Sequence, residues 1–225
     1  MKGTLVNAST VLAGSLIGMG AGRYLSQGIR TILMQALGLA VMVIGIKMAL
    51  SGENPIAAVG CLLLGGITGE LMRIEDGVEY LGTRLKARFK SQSTTFVEGF
   101  VTATILYLTG AMTIVGSIQD GTVGDATTLY LKALLDGFAS VVLASSLGVG
   151  VAFSALSVLL VQGGLTLLAS QLAFLKEPAV LESITAVGGM IIVGIGINLL
   201  DIKRLRVGNL VPALIYACIY PLIWK

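Results

Sequence analysis

Two strings in the apolar part of this sequence echo one another: Glu98-Gly99-Phe100-Val101-Thr102 and Asp136-Gly137-Phe138-Ala139-Ser140. Each is an acid, a glycine, a phenylalanine, a small apolar residue and a hydroxyl. An ionisable side chain inside a membrane span is costly, and its usual uses are an ion pathway, a bound ion or a specific partner. Carboxylate and hydroxyl oxygens are hard ligands, suited to sodium, magnesium or manganese rather than to soft copper. Asp136 and Glu98 are therefore candidate ligands for an exchangeable cation or metal, with Thr102, Thr109 and Ser140 as neutral ligands. One carboxylate cannot hold a proton and another cation at once, and that competition is the elementary step of an exchanger.

Helical spacing orders these residues further. With Glu98 as reference, Thr102, Thr109 and Thr113 fall within about 60° of it on a 3.6-residue helix, so one face would present a carboxylate followed by hydroxyls. Lys132, Asp136 and Ser140 are four apart, which lets Asp136 pair with Lys132 and hydrogen-bond through Ser140. Beyond them the same face turns apolar at Leu143 and Leu147. Each feature has a plainer explanation: threonine hydroxyls bonding back to their own helix, a local ion pair for Asp136, and an interfacial position for Glu98. Lys47, Asn198, Gln35, Gln162 and Asn7 are further polar groups within spans, where joining helices by hydrogen bonds is their commonest use. Glu70 lies near a span end, within reach of Arg73.

The elements that must position these groups are transmembrane helices. Of 225 residues, 55% are hydrophobic and 12% charged, and mean hydropathy is +0.92. The expected fold is an all-α integral membrane protein in one domain over 1–225, with about eight spans at 4–22, 31–50, 55–72, 94–117, 127–148, 150–173, 179–200 and 208–224. Seven would result if the fifth and sixth formed one broken element around Gly148-Val149-Gly150. Many of the 30 glycines lie in these spans; Gly14, Gly18, Gly22 and Gly65, Gly69 make GxxxG steps that suit close helix packing. Segment 74–91 has Ile74, Val78, Leu81, Leu85 and Phe89 at helical spacing and a basic end of Arg84, Lys86, Arg88 and Lys90. It predicts an amphipathic helix on the anionic cytoplasmic leaflet, and its flanking acids Glu75, Asp76 and Glu79 argue against nucleic acid.

Alternating spans place Arg23, Arg30, Arg73, Arg84, Lys86, Arg88, Lys90, Lys203, Arg204 and Arg206 on one side, and Lys2, Lys47, Lys132, Lys176 and Lys225 on the other. The denser side is expected in the cytoplasm and both termini in the periplasm. The first span then reads as an uncleaved anchor. A second echo pairs Gly38–Lys47 with Gly189–Asn198, Val6-Asn7-Ala8 with Phe153-Ser154-Ala155, and Val59-Gly60 with Val207-Gly208, which makes Lys47 and Asn198 equivalent positions. Repeat-like halves at 4–72 and 150–224 would then run in opposite senses around central helices 94–117 and 127–148. Inverted repeats are a signature of secondary transporters.

Absences narrow the chemistry. There is no histidine and only two cysteines, with no CxxC and no phosphate-binding loop, so no cofactor and no enzymatic activity are expected. The stretches GTLVNASTVLAGSLIG, TGAMTIVGSIQDG and KALLDGFASVVLASSLGVGVAFSALSVLLVQG resemble the YqgA-type family of bacterial inner-membrane proteins, described as a domain of unknown function. The resemblance covers essentially the whole chain and implies a multi-pass inner-membrane protein, commonly presumed a transporter. DGFAS alone is similar, over five residues, to a helix motif of small manganese exporters. The function expected is secondary transport or exchange of a small cation or cation-coupled solute. Lipid, the solute and further copies of the chain in a homo-oligomer are the expected partners. A non-transporting membrane subunit and a passive channel are the alternatives.

Overall fold

The computed structural model describes every residue except 23, 109, 110, 170, 224 and 225. It is helical, and no strand occurs among the described residues. The helices are α1 Lys2–Gly22, α2 Gln27–Ala49, α3 Pro55–Met72, α4 Ile74–Arg88, α5 Phe96–Leu108, α6 Ala111–Thr122, α7 Thr127–Leu147, α8 Gly150–Ser157, α9 Gly163–Leu167, α10 Pro178–Leu199 and α11 Ala213–Ile223. A π turn, Val158–Gln162, joins α8 to α9 in one long element. Local signals set the boundaries. The Asn54 side chain caps α3 by accepting the Ala57 N–H at 3.0 Å, and prolines 55 and 178 open α3 and α10. Gly148 stops α7 at φ +74, a conformation that costs glycine nothing.

Among the described residues, six helical elements are long and apolar enough to cross a membrane: α1, α2, α3, α7, the α8–α9 element and α10. The expected fourth span is not one straight helix, because Phe96–Leu108 and Met112–Thr122 meet at 63°. The expected eighth is short, a 3-10 turn at Val207–Leu210 followed by the eleven residues of α11. Seven through a merged fifth and sixth element does not describe this chain, since α7 and α8 are separate helices divided at Gly148.

Glycine seams fix the packing. Gly14, Gly18 and Gly22 of α1 lie against the backbone at Gly137, Val141 and Ser145 of α7, in step, so these helices are parallel. Parallel α1 and α7 require an even number of reversals between them. The bent α5–α6 pair therefore runs on in one sense rather than turning back, so that up to seven elements among the described residues are long and apolar enough to cross a membrane. On α2, Gly45 meets Gly189 and Val193 while Gly38 meets Gly196 and Leu200, so α2 and α10 are antiparallel. Gly69 and Gly65 likewise seat on Asn209 and Ala213, and Gly150 on the Phe96 backbone. The buried core runs through α5, α7, α8 and α10, where Phe96, Leu143, Val151, Ile184 and Ile191 are fully enclosed. Leu39, Val43, Leu63 and Ile67 point outward from α2 and α3, which suits a hydrocarbon solvent.

The amphipathic segment forms as α4, and its acidic side is held by the turn before α11. Arg206 pairs with Glu70 at 2.7 Å and with Asp76, and Arg204 with Glu79 at 2.6 Å. Glu70 thus meets Arg206 and Asn209 rather than Arg73. Glu75 is buried, accepts the Gly208 N–H at 2.9 Å and donates its own N–H to Asn209 Oδ1 at 2.8 Å. Burial pushes the Glu75 carboxyl above its ordinary value, and the nearby Glu79 charge adds to this; the Gly208 N–H and the two arginines oppose it. A carboxyl raised by folding stabilises fully below its unfolded pKa, and that contribution is lost as pH rises through the folded value. Glu75→Gln should therefore be the more stable protein at neutral pH, with the gap closing as pH falls into the carboxylate range. Unfolding midpoints of the two proteins across that window check this; a gap that widens on acidification would contradict it.

Candidate functional site

Two regions gather the polar side chains of the spans. The first is closed and buried within the helix bundle. Lys132 and Asp136 form the i, i+4 ion pair within α7, their side chains only 6% and 12% exposed. Asp136 Oδ2 also accepts from Asn7 Nδ2 of α1 at 3.0 Å. The same Asn7 amide donates to Gln162 Oε1, again at 3.0 Å. Gln162 Nε2 donates to Thr4 Oγ1 at 3.2 Å, the Thr4 and Thr166 hydroxyls are 3.2 Å apart, and Ser117 Oγ donates to the Gln162 carbonyl. Asn7 and Gln162 are fully buried, and Asn7 Oδ1 has no partner among the described residues.

The backbone around this network is irregular where the network sits. Gln162 closes the π turn, a rare element that recurs at functional sites because it re-aims one side chain off the regular helix. The α5–α6 bend is adjacent: Tyr107, near its start, donates or accepts at Ser140 Oγ over 2.7 Å. The Lys132 ammonium lies 5.8 Å from the Tyr107 ring centroid, within cation–π range. Thr113, past the bend, donates back to the Tyr107 carbonyl at 3.0 Å. Ser140 therefore serves Tyr107 rather than Asp136. Asp120 lies in α6 and is buried, accepting the Gly3 N–H at 3.0 Å.

The second region is a vestibule at the end of the bundle that carries Arg30 and Arg204. A cavity of about 510 Å³ is lined by α2, α5, α7 and α10, including Arg30, Gln35, Glu98, Thr102, Ser146, Asn198 and Asp201. A side branch of about 200 Å³ shares Glu98, Thr102, Asn198 and Asp201 and runs under α4 to Glu75, Glu79 and Arg204. Along α7 the fully buried Leu143 lies between Ser140 and the vestibule-lining Ser146 and Leu147.

The anticipated residues are thus divided. Lys132, Asp136 and Ser140 belong to the core, whereas Glu98, Thr102 and Asn198 belong to the vestibule. Gly99 packs on Leu147, eleven residues beyond Asp136 along α7, so the two acids stand about 16 Å apart by helical rise and do not share a cation. Among the described residues, no three His, Cys, Asp or Glu side chains converge. The continuous hydroxyl face from Thr102 to Thr113 is interrupted by the α5–α6 bend, and Thr109 lies outside the described residues. Lys47 is exposed and far from Asn198, whose amide instead binds the Leu205 N–H and carbonyl at 2.7 and 2.9 Å. The partners that sequence ranking set low are Asn7 and Gln162. Their signal was spacing: Thr4 with Asn7 and Gln162 with Thr166 are i, i+3 and i, i+4 polar pairs on two spans.

Closure of the core is measurable. In a protein lacking Cys61 and Cys218, Thr102→Cys should react with a membrane-impermeant maleimide at least about tenfold faster than Ser140→Cys, because thiol reactivity requires access. Equal rates would mean that Leu143 and Leu147 form no barrier.

Residues 2–222 match the family described as "Protein of unknown function (DUF554)". The chain is 32% identical to the uncharacterized membrane protein YdfK of Bacillus subtilis (strain 168), over 96% of this chain and 93% of that one. It is 30% identical to the uncharacterized protein YqgA of Escherichia coli (strain K12), over 96% and 94%. No solved structure matches the chain.

Proposed function

The chain belongs to the DUF554 family of proteins of unknown function, and we propose that it is a secondary transporter of the bacterial inner membrane. It exchanges a small cation, or moves a solute coupled to one, against protons. The observation that carries this reading is the buried Lys132–Asp136 pair, tied through Asn7 to the Gln162 π turn beside a broken span. Charged pairs and interrupted helices near the midplane are what such proteins use to bind and release ions.

Charge balance gives the coupling. A cation entering at Asp136 takes the carboxylate from Lys132. An unpaired buried ammonium is costly and is relieved by losing its proton. One monovalent cation bound and one proton released leave the site's charge unchanged, so that exchange is electroneutral, whereas a divalent cation exchanged for one proton moves one net charge. Asn7 Oδ1, already desolvated and unpartnered, supplies a second oxygen without first breaking a bond.

Helix pairing supports an inverted repeat. If spans one to three correspond to six to eight and span four to five, the α1–α7 seam has its counterpart in the packing of α8 on α5. The α2–α10 and α3–α11 pairs join equivalent spans antiparallel. The stretch 207–220 runs the length of α3, from Asn209 at Gly69 to Tyr220 at Asn54, which favours an eighth crossing. The basic ends favour a cytoplasmic vestibule and periplasmic termini.

Purified protein in liposomes, with internal pH followed while sodium, lithium, magnesium and manganese are offered in turn, tests the function. Proton movement that depends on one of these cations is expected. Its absence for every cation and solute offered would favour the non-transporting membrane subunit.

A further inference from the structure

Helix α4 takes no part in the exchange, and the fold sorts its charges. Its acidic start is answered: Arg206 pairs with Asp76 and with Glu70 of α3, Arg204 pairs with Glu79, and the buried Glu75 accepts the Gly208 N–H. Its basic end is not. Arg84, Lys86, Arg88 and Lys90 have no ion-pair partner among the described residues, and all but Lys86 are exposed. A helix C-terminus offers cations only about half a negative charge, so most of this basic charge stays unanswered. The acids that argued on sequence grounds against an anionic partner are neutralised by the two arginines of the neighbouring turn.

Packing fixes which face of α4 looks outward. Val78 and Leu85 pack on the core, a Cβ on Gly82 would meet Phe100 of α5 at 3.0 Å, and the Phe89 ring centroid lies 4.7 Å from that of Phe153 on α8. The helix is thus strapped across the end of the bundle, from the turn before α11 to α8. Val78 and Leu85, expected on the leaflet side, face the protein instead. Tyr80, Leu81, Arg84 and Arg88 occupy the opposite face, with Tyr80 and Leu81 54% and 56% exposed. The Arg84 guanidinium lies 4.7 Å from the Tyr80 ring centroid, a stacking that holds its fork ready for an oxyanion.

The surroundings choose the anion. Helix α3 ends at Met72 and α4 begins at Ile74, so one residue separates this helix from an element long and apolar enough to cross a membrane. Leu71 and Met72, at that junction, are exposed. Exposed leucine, methionine and tyrosine beside unpaired cations suit the boundary of a bilayer, where apolar side chains dip below the phosphates that the cations hold. A nucleic acid or an acidic protein would answer the charge and leave these apolar side chains in water.

We propose that the outer face of α4, formed by Tyr80, Leu81, Arg84, Arg88 and Lys90, is a docking surface for the phosphate headgroups of anionic phospholipids. Because α4 is held to the bundle at both ends, the lipids are bound at a fixed place rather than by a helix free to lift away. The proposal stands whether or not the chain transports a solute.

The test uses the full chain in nanodiscs of phosphatidylcholine, with or without about 30 mol% phosphatidylglycerol. The unfolding midpoint should rise with the anionic lipid, since a ligand of the native state stabilises it, and the rise should shrink between about 20 and about 500 mM salt. The triple variant Arg84→Gln, Arg88→Gln and Lys90→Gln should lose more than about half of that rise. Lys2→Gln, Lys47→Gln and Lys203→Gln together remove the same charge from exposed positions elsewhere and should keep it. In a protein lacking Cys61 and Cys218, a polarity-sensitive fluorophore on Leu81→Cys should report a less polar setting when phosphatidylglycerol is present. The proposal is overturned if the midpoint ignores the anionic lipid, if the two triple variants lose equal shares of the rise, or if the fluorophore sees no change. Single-stranded RNA that binds in phosphatidylcholine nanodiscs through Arg84, Arg88 and Lys90, with no response to phosphatidylglycerol, would overturn it in favour of nucleic acid.

Discussion

Asp136→Asn is expected to abolish cation-dependent proton movement in liposomes and, at the same time, to destabilise the folded chain. Both effects follow from one fact: the carboxylate accepts from Lys132 and Asn7 in a closed core. Removing one partner of a buried ion pair costs about 3–5 kcal/mol, because the other charge stays behind uncompensated. Any state that needs the pair is then disfavoured about 10²-fold or more. Loss of flux in this variant alone would not separate a working pair from a structural one. The double variant Lys132→Gln with Asp136→Asn does. It removes both charges together, keeps hydrogen-bonding groups of similar size, and should regain most of the lost unfolding midpoint. An exchanging pair predicts that the double variant folds and moves no protons. If flux returned with stability, Lys132 and Asp136 would be joining helix turns and the cation would bind elsewhere.

The parts of this site that were legible in the sequence are those set by local geometry. Lys132 and Asp136 are four residues apart on one helix, so their pairing needs no tertiary information. The GxxxG steps at Gly14–Gly22 announced close packing for a similarly local reason. Which helix they would meet, however, depends on connections about 120 residues long. Asn7 reaches Asp136 and Gln162 across separations of 129 and 155 residues, and no residue pattern on α1 alone encodes that meeting. The π turn has no compositional signature. A window of hydropathy passes smoothly over 94–117 because apolar residues continue through the bend between α5 and α6. The hydroxyl face from Glu98 to Thr113 was drawn on a straight helix, so the bend removed it. The short last helix was hidden in the same way: 208–224 is apolar throughout, but a 3-10 turn consumes its first residues. The vestibule was the least legible feature, since Arg30 on α2 and Ser146 on α7 lie far apart in sequence and meet only in the folded chain.

Gly18→Leu should be among the most destabilising single substitutions in the chain, and Gly20→Leu, two residues away on the same helix, close to neutral. A Cβ on Gly18 collides with the Val141 carbonyl and Cα of α7, backbone atoms that cannot rotate aside. At Gly20 nothing lies within 4 Å of the same atom. In a bilayer the association of helices depends on close packing, because lipid tails solvate leucine as well as a neighbouring helix does. Forcing α1 outward also draws Asn7 away from Asp136 and Gln162, so the cost exceeds the usual ~1–3 kcal/mol of overpacking. Gly20→Ala has the opposite sign to Gly18→Leu: an exposed helical glycine is worth about 1 kcal/mol less than alanine, so that variant should be slightly stabilised. Unfolding midpoints in nanodiscs for Gly18→Leu, Gly20→Leu and Gly20→Ala decide the matter. Equal losses at 18 and 20 would mean that α1 does not pack on α7 through this seam, and the Asn7 bridge to Asp136 would fall with it. A large loss at 18 alone would tie the exchange site to the glycine face of the first helix, because the seam that holds α1 in register also holds Asn7 over the ion pair.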